Sequence, residues 1–462
     1  MGKSNNKNYN IGIVVRLVIN ATLSCFLTGY NIGVTNSSLE NVSKTIDWKG
    51  DYNTFAAICN GVFPTGAVIG SILSGKIANK YGRRKGMIYT ALLCIISSGI
   101  TIIPTIPTFI IGRFFSGFVA AAGVTFPPMF INEMVPEDIR GKLGSLVQFQ
   151  VTFGIFTAFL MCLILPVYNF HLWTNDLWML IYAIPVIPSI IQLLLFFTVY
   201  KNDTPKWLNM VNRKNELETV LKTIYTEDWE TYMNKLQEVP ENHEFQNEKN
   251  SEPSFCELFT IKKYRKPVIV GCTLSMLQQL SGINMFIFYS SKIYQEIEDT
   301  KNYSAEFTAA LGFFNMVTTM ICLVFIEKYG RKILLIQGCI GMAICHLFLF
   351  LFNIISAIPS AASLPFMMIY VGFFESSLGP VLWIYCGETL TDRGVGLAVA
   401  VNWVFTIFIG SVFNFYVELV TIGFAFLTFS VICVVGILFI WAFILETKGK
   451  TRDEIVKLLG GN

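Results

Sequence analysis

The stretch QQLSGIN, from Gln278 to Asn284, places four uncharged polar side chains inside a long apolar segment. Its flanks are VIVGCTLSML (268–277) and MFIFYSS (285–291), and an apolar run of this length is typical of a membrane-spanning helix. Amides at membrane depth need hydrogen-bond partners, so these side chains are expected to face protein or a wet cavity rather than lipid. Because each amide offers both donors and an acceptor, the stretch suits a ligand covered with hydroxyl groups.

The spacing of the amides also predicts a break in this helix. In a regular α-helix, Asn284 would lie roughly 120–140° around the axis from Gln278 or Gln279. Gly282, next to Ser281, is a plausible position for a kink that would let the three amides converge. The alternative is that the amides only hold neighbouring helices together, because interhelical amide hydrogen bonds are common in membranes.

The composition predicts an all-α membrane protein. Of its 462 residues, 53% are hydrophobic and 14% are charged, and the mean hydropathy is +0.56. The net charge of +3 predicts no nucleic-acid partner. Eleven cysteines without a CxxC pair and three scattered histidines predict no disulfide framework, no metal site and no cofactor.

Twelve apolar segments are expected to span the membrane, in two sets of six. A polar stretch rich in Lys, Glu and Asn separates the sets. Within it NRKNELETVLKTIY (212–225) suits short surface helices, whereas the sequence near 240–253 is expected to be flexible. The predicted spans are 12–35, 54–78, 86–104, 107–134, 142–166, 177–200, 267–297, 305–327, 332–356, 364–389, 396–419 and 422–445.

These spans define four parts of the chain. They are an N-terminal six-helix bundle (1–200), a cytosolic linker with short helices (201–266), a C-terminal six-helix bundle (267–445) and a cytosolic tail (446–462). The orientation follows from basic residues, which crowd the loops after spans 2, 4 and 8 and are missing from the alternate loops near 166–176, 357–363 and 419–422. Both termini are therefore expected in the cytosol, and glycosylation sequons at 36–38, 41–43 and 302–304 fall on the opposite side.

The two halves of the sequence repeat each other. KYGRRK (80–85) recurs as KYGRK (328–332), and Glu133 with a following Arg-Gly pair has a weaker echo in Glu388. Both copies lie about half the chain later. Two six-span halves in the same orientation form a parallel repeat, in which a binding site is expected near mid-membrane between the halves.

Motifs along essentially the whole chain occur in the order of one known family. They are GYNIGVTN (29–36), GKIANKYGRRKG (75–86), GRFFSG (112–117), PMFINEMVPEDIRG (128–141), NDTPKWL (202–208), QQLSGIN (278–284) and LETKGKT (445–451). In combination they resemble the sugar porter branch of the major facilitator superfamily, and the pattern is most similar to facilitative hexose carriers. The resemblance implies the major facilitator fold, with twelve transmembrane helices in two six-helix bundles.

The resemblance also implies a sugar site near mid-membrane. Its amides and one carboxylate would bind hydroxyls, while a tryptophan face would cover the apolar side of a pyranose. The alternative for the two tryptophans is anchoring at the lipid interface. The implied residues are Gln148, Gln278, Gln279, Asn284, Asn315, Glu375, Trp383, Asn402 and Trp403.

A second implied set is charged and is expected near the cytosolic span ends. In the family, such residues form inter-helix ion pairs that hold the inner face shut when the cavity faces outward. The alternative, a pure topology signal, does not account for the glutamates, because acidic residues contribute little to that rule. The set comprises Arg83, Arg84, Arg113, Glu133, Arg140, Glu327, Arg331, Lys332, Glu388 and Arg393.

Asn31 bears on the mode of transport that the resemblance implies. Proton-coupled sugar porters usually carry an aspartate at this position in the first span, whereas asparagine cannot titrate. The expectation is therefore passive uniport of a hexose, most of all D-glucose, by a functional monomer embedded in lipid, in the plasma membrane. The alternatives are a proton-coupled sugar or polyol symporter and a sugar sensor that does not transport; no enzyme activity is expected, since the sequence offers no nucleophile–base pair.

Overall fold

The chain is helical almost throughout. The computed structural model describes residues 9–165, 176–226, 229–237, 253–296, 303–326, 328–355, 357–450 and 452–458. Outside its helices these residues form one isolated β-bridge, between Tyr9 and Tyr225. The stretch expected to be flexible, apart from residue 253, and the candidate gating residue Glu327 lie outside the described residues.

The described part of the first half contains nine α-helices. The fifth and sixth predicted spans are each built from two consecutive helices, which meet at Ser145 and near Pro185. The helices are α1 (Ile11–Gly33), α2 (Thr35–Thr45), α3 (Tyr52–Tyr81), α4 (Arg83–Thr101), α5 (Ile106–Met134), α6 (Glu137–Gly144), α7 (Leu146–Met161), α8 (Leu177–Ala183) and α9 (Val186–Thr198).

The linker and the second half supply the remaining helices. The linker contains α10 (Pro205–Met210), α11 (Lys214–Ile224), α12 (Trp229–Gln237) and α13 (Phe255–Thr260). The second half contains α14 (Lys262–Leu280), α15 (Ile283–Glu296), α16 (Ser304–Ile326), α17 (Arg331–Ile354), α18 (Ser363–Glu375), α19 (Val381–Thr389), α20 (Asp392–Phe443) and α21 (Arg452–Leu458).

These helices account for the twelve predicted spans. By length and composition, eight described segments could each cross a membrane: Ile11–Gly33, Tyr52–Tyr81, Ile106–Met134, Glu137–Ile164, Leu177–Thr198, Ser304–Cys322, Arg331–Ile354 and Arg393–Phe443. Helix α4 adds one span, and α14 with α15 and α18 with α19 each form another that is broken in the middle. The backbone of Thr421 is non-helical, with φ 69°, and divides α20 into two spans, which brings the number of spans to twelve. The all-α, twelve-span expectation is confirmed.

The spans pack as two bundles. One large apolar core joins residues of α14 to α20 and takes in Ile155 and Phe159 of α7, and separate cores join the helices of the first half. Between the bundles, α3 packs on α20, α7 on α16 and α2 on α15. The boundary between the bundles therefore runs along spans 2, 5, 8 and 11, with spans 1 and 7 meeting at one end.

The linker covers one end of the first bundle. One face of α11, with Leu217, Leu221 and Ile224, is buried in the same core as α1 and α5. The backbone N–H of Asn10 donates to the Ile224 carbonyl at 2.8 Å, which ties the start of α1 to this helix. We call this the linker end and the opposite end the far end. The helix expected in 212–225 is thus present, with one face buried rather than on the surface.

Candidate functional site

The predicted break in the seventh span is present at Gly282. Helix α14 ends at Leu280, and α15 starts at Ile283. Gly282 has φ +102°, a conformation that glycine adopts without the steric penalty of a Cβ atom. The break brings the amides on its two sides together, because Asn284 Nδ2 donates to Gln279 Oε1.

Four of the predicted amides form one hydrogen-bonded network. Gln279 Nε2 donates to Asn402 Oδ1 at 2.8 Å, and Asn402 Nδ2 donates to Gln278 Oε1 at 2.7 Å. Gln278 Nε2 in turn donates at 2.7 Å to the carbonyl of Leu378, in the break between α18 and α19. The network therefore joins spans 7, 10 and 11 of the second bundle, and its members satisfy one another.

Three further predicted residues lie at the boundary between the bundles. Gln148 of α7 donates from Nε2 to Glu375 Oε2 of α18 at a long 3.3 Å. Glu375 is 2% exposed and forms no ion pair among the described residues. Asn315 of α16 is also buried, and its Oδ1 has no hydrogen-bond partner in the described part of the chain. These groups retain polar capacity that a ligand could use.

The two predicted tryptophans occupy different settings. Trp403 packs edge-on against Phe63 of the first bundle, with ring centroids 6.1 Å apart, in a small core that includes Ala120 and Ala121. Trp383 is partly buried against the core of the second bundle. Burial of Trp403 between bundles disfavours its alternative role as an interfacial anchor, since such anchors lie at the headgroup level.

Arg113 does not lie where it was expected. It is on α5, about 30 Å along the helix from Glu133, because 20 residues at 1.5 Å each separate them. Its Nη2 donates to the Asn31 carbonyl at 2.9 Å, and its guanidinium lies 4.5 Å from the centre of the Phe63 ring. Arg113 therefore lies toward the far end of α5, away from Glu133 and the linker end, so its grouping with the charged residues of that end is wrong.

Arg113 contacts the first span through an uncharged group. No described acidic residue forms an ion pair with Arg113, which is 1% exposed. Asn31 is also buried, and its Nδ2 donates to the Leu27 carbonyl one turn earlier at 2.9 Å. The nearest polar environment of this arginine is thus built from carbonyls and aromatic faces.

The linker end carries one ion-pair cluster in the first bundle. Arg83 Nη2 lies 2.7 Å from Glu133 Oε1, and Thr204 Oγ1 donates to the other carboxylate oxygen at 2.6 Å. Asp203 accepts from the backbone N–H of Arg83 at 3.0 Å and of Arg84 at 3.1 Å. Its carboxylate therefore caps the start of α4, where the helix dipole favours negative charge.

The second bundle repeats this cluster. Arg331 Nη2 lies 2.8 Å from Glu388 Oε1, and Glu446 accepts from the backbone N–H groups of Arg331 at 2.9 Å and Lys332 at 3.2 Å. Asp203 and Glu446 were missing from the predicted set. Their signal was available, because they occupy matching places in NDTPKWL and LETKGKT, motifs already identified at the ends of the two bundles.

Four further members of the charged set donate to backbone carbonyls. Arg84 donates to the Tyr200 carbonyl at 2.5 Å, Arg140 to Val135 at 3.4 Å and Lys332 Nζ to Trp441 at 2.7 Å. Arg393 donates to the Pro253 carbonyl at 3.2 Å, which ties α20 to the linker. The ion pairs described above for this end each lie within one bundle. The expectation of pairs that close this end concerns a cavity that faces outward, and it stays a prediction.

At the far end, hydrogen bonds join the two bundles. Asn36 donates to the Ile287 carbonyl at 2.7 Å and to Ser290 Oγ at 2.8 Å, and accepts from the Ser291 N–H at 3.0 Å. All four hydrogen bonds described for the Asn36 side chain are made with α15. The far end is therefore closed by contacts between spans 1 and 7.

Lys292 and Asn53 add a second far-end contact between the bundles. Lys292 Nζ donates to Asn53 Oδ1 at 2.9 Å, and Asn53 Nδ2 donates to Glu418 Oε1. The Asn53 amide of the first bundle is thus held between an ammonium and a carboxylate of the second.

Two of the three predicted sequons are poor acceptors in this conformation. Asn36 and Asn41 lie in α2 and are 7% and 6% exposed. A glycosylation acceptor needs an accessible amide, so burial disfavours modification at either residue. The third sequon begins at Asn302, outside the described residues.

This architecture defines a class of protein: a multi-pass membrane carrier of the major facilitator superfamily, with two repeated six-span bundles. A family model described as "Sugar (and other) transporter" matches residues 17–459. The chain belongs to that family, whose members transport solutes across membranes and are not enzymes.

Individual relatives cover nearly the whole chain. The chain is 31% identical to hexose transporter 1 of Plasmodium yoelii yoelii (94% of this chain, 90% of the relative) and 28% identical to mouse solute carrier family 2, facilitated glucose transporter member 3 (96% and 92%). A solved structure of the proton:xylose symporter XylE, bound to 6-bromo-6-deoxy-D-glucose, matches with a TM-score of 0.83 at 26% identity, covering 98% of this chain and 100% of that one.

Proposed function

We propose that this protein is a facilitative hexose transporter that moves D-glucose, and monosaccharides of similar shape, by passive uniport. Its site residues would be the amide network together with Gln148, Asn315, Glu375, Trp383 and Trp403. The observation that carries the proposal is the network of Gln278, Gln279, Asn284 and Asn402 at the broken seventh span. Neutral amides that can both donate and accept suit a substrate whose hydroxyls do the same.

Uniport is supported by the surroundings of Arg113. The relatives include both a facilitated glucose transporter and a proton symporter, so similarity alone does not separate the two modes. A coupling proton needs a carboxylate that can be neutralised by it, and the residue whose backbone carbonyl binds Arg113 is the uncharged Asn31. Arg113 would then hold span 4 against span 1 without a proton being taken up.

The transport cycle would proceed by alternating access. In the structure the far end is closed through Asn36 and Asn53, and α15 carries the partners of Asn36. The break at Gly282 would let α15 move away from span 1 while α14 stays packed, which opens the far end. The ion-pair clusters at the linker end would remain intact within each bundle and move with it as a rigid unit.

We further propose that the linker end faces the cytosol, together with both termini, and that the protein functions as a monomer in the plasma membrane. The basic residues at this end, including Arg83, Arg84 and Lys85, support that orientation. Antibody accessibility of tags placed at either terminus, in intact and permeabilised cells, tests it. Labelling of intact cells would contradict the assignment.

Transport by the purified protein in proteoliposomes tests the main proposal. We expect counterflow of labelled D-glucose that unlabelled hexoses inhibit and that an imposed proton gradient leaves unchanged. An internal pH dye in the same vesicles reports any proton movement with the sugar. Sugar-dependent acidification of the vesicle interior would establish symport instead, whereas sugar binding without flux would establish a sensor.

Glu375 is the observation that favours the second candidate, a proton-coupled symporter. It is a buried carboxyl without an ion-pair partner among the described residues, at the boundary between the bundles. If it carried the coupling proton, Glu375→Gln would abolish accumulation driven by a proton gradient but preserve counterflow. A uniporter does not accumulate sugar above equilibrium, so under uniport the substitution has no accumulation to abolish.

A further inference from the structure

The break in the seventh span leaves the Ser281 backbone carbonyl without its helical partner. In a continuous helix the Ser281 carbonyl would accept from the N–H of residue 285. Here the Met285 N–H instead donates to the Gly282 carbonyl at 3.1 Å. A buried carbonyl that loses its partner must find another, because an unsatisfied polar group in the membrane interior is costly.

Two side chains from neighbouring spans satisfy that carbonyl. His346 of α17 lies 2.9 Å from it through Nε2, and Tyr370 of α18 donates to it through its hydroxyl at 3.0 Å. Because the partner is a carbonyl, His346 Nε2 must carry the proton and act as donor. Both lone pairs of the Ser281 carbonyl are thus used, and both partners lie outside the seventh span.

The imidazole is held firmly in place. His346 is fully buried, and its ring centre lies 4.6 Å from that of Tyr370, 5.6 Å from Phe429 and 6.1 Å from Phe286. The ring also fills the space beside the hinge: a Cβ atom at Gly282 would lie 3.2 Å from His346 Nε2. Rings packed on several sides leave the imidazole little freedom to rotate.

We propose that His346, aided by Tyr370, is a positioning residue that holds the Ser281 carbonyl and so fixes the break in the seventh span in the geometry needed for substrate binding. The break sets Asn284 on α15 against Gln279 on α14. It is also the point about which α15 turns when the far end opens. The proposal rests on the amide network being the sugar site.

This role separates His346 from the sugar-binding residues. Its imidazole contacts the hinge backbone and aromatic rings rather than the amide network. Loss of the donor leaves the Ser281 carbonyl bound by Tyr370 alone, and the relative position of Asn284 and Gln279 becomes less well defined. The expected consequence is a higher half-saturation constant together with a changed rate of interconversion between states.

The test compares His346→Gln with His346→Met in proteoliposomes. The two replacements are similar in length and volume, but only glutamine keeps an N–H donor that can reach the carbonyl. We expect His346→Met to raise the half-saturation constant for D-glucose exchange about fivefold, as for loss of one neutral hydrogen bond, and His346→Gln to restore most of it. Tyr370→Phe should act in the same direction.

A further variant controls for general loss of packing. Ser430→Ala removes a buried hydrogen bond, at 2.8 Å, to the Ala343 carbonyl, one turn before His346 on the same helix. It should lower thermal stability and leave the half-saturation constant unchanged. Combining His346→Met with Tyr370→Phe leaves the carbonyl unsatisfied, so its effect should exceed the product of the single effects.

Each outcome bears on the proposal. The proposal is overturned if a folded His346→Met has the same half-saturation constant as the unmodified protein. It is also overturned if His346→Gln and His346→Met raise that constant equally. If His346→Met does not fold, Tyr370→Phe still decides, because an unchanged constant in that variant contradicts the role of the carbonyl. A lack of hexose transport by the unmodified protein would instead refute the proposed function.

Discussion

Replacement of Gln279 by alanine tests most directly whether the amide network is the sugar site. Gln279 is 7% exposed and joins the three other members of the network. It donates to Asn402 Oδ1 at 2.8 Å and to Gln278 Oε1 at a long 3.4 Å, and it accepts from Asn284 Nδ2. Truncation therefore removes three hydrogen bonds at once. It also creates a small gap between spans 7 and 11, next to the position proposed for the substrate.

The expected magnitude follows from hydrogen bonding. A buried polar group that loses its partner costs ~1–3 kcal/mol, so the half-saturation constant should rise by roughly 5- to 150-fold. The lower part of that range applies if Asn284 and Asn402, released from Gln279, bind the sugar hydroxyls in its place. The upper part applies if the hydroxyls that Gln279 binds are left unpaired.

The matched control is Gln192→Met. Gln192 is another fully buried amide, and it donates to the Asn20 carbonyl at 2.8 Å and to Ser24 Oγ at 3.0 Å. It joins spans 1 and 6 within the first bundle, so its loss should lower the melting temperature and leave the half-saturation constant of D-glucose counterflow unchanged. The reasoning fails if Gln279→Ala retains the unmodified constant, or if Gln192→Met raises it equally.

Three further changes have defined outcomes. Asn31→Asp places a titratable carboxylate beside Arg113, so sugar flux should become pH-dependent and move protons, as a pH dye inside the vesicles would report. Lys292→Met removes the ammonium bond to Asn53, worth about 1 kcal/mol in this partly exposed setting; spin-label distances across the far end should show a larger open population. Burial raises the pKa of the Asp203 carboxyl above its ordinary value. Its contribution to stability is therefore complete below the ordinary aspartate pKa and is lost as the pH rises through the raised pKa of the folded protein. Asp203→Asn should make the melting temperature less dependent on pH between these two pKa values.

The sequence predicted the broken seventh span for a sound physical reason. A regular helix cannot direct Gln278, Gln279 and Asn284 to one place, so a glycine between them had to interrupt it. The structure confirms the break at Gly282 and the convergence of Gln279 with Asn284. The constraint was local, because it involved only seven consecutive residues, and local constraints can be read from sequence.

The position of a residue along its helix limits which role the resemblance can imply. The resemblance implies one role for Arg113 and Glu133, although the two lie near opposite ends of α5. The predicted span begins at 107, which places Arg113 near the start of the helix and Glu133 near its end. A role shared by a set of residues therefore does not extend to a member at the other end of the helix.

Contacts between residues that are distant in sequence could not be predicted, for another reason. The caps that Asp203 and Glu446 place on α4 and α17 depend on where the linker and the tail return to the bundles. The same holds for His346, whose position beside Ser281 depends on how spans 7 and 9 pack together. Hydrophobic periodicity identifies a span and its buried face, but it does not specify which neighbour that face meets.

The self-satisfied amide network has a consequence for transport itself. Because Gln279 binds Asn284 and Asn402, a sugar bound at the proposed site would exchange hydrogen bonds rather than add them. Each exchange would contribute only ~0.5–1.5 kcal/mol, so several hydroxyls would have to engage together before binding is favourable. Mutual pairing also leaves no member of the network unsatisfied at membrane depth, where unpaired polar groups destabilise a protein. Such an arrangement would recognise a polyhydroxylated substrate yet bind it weakly enough to release it.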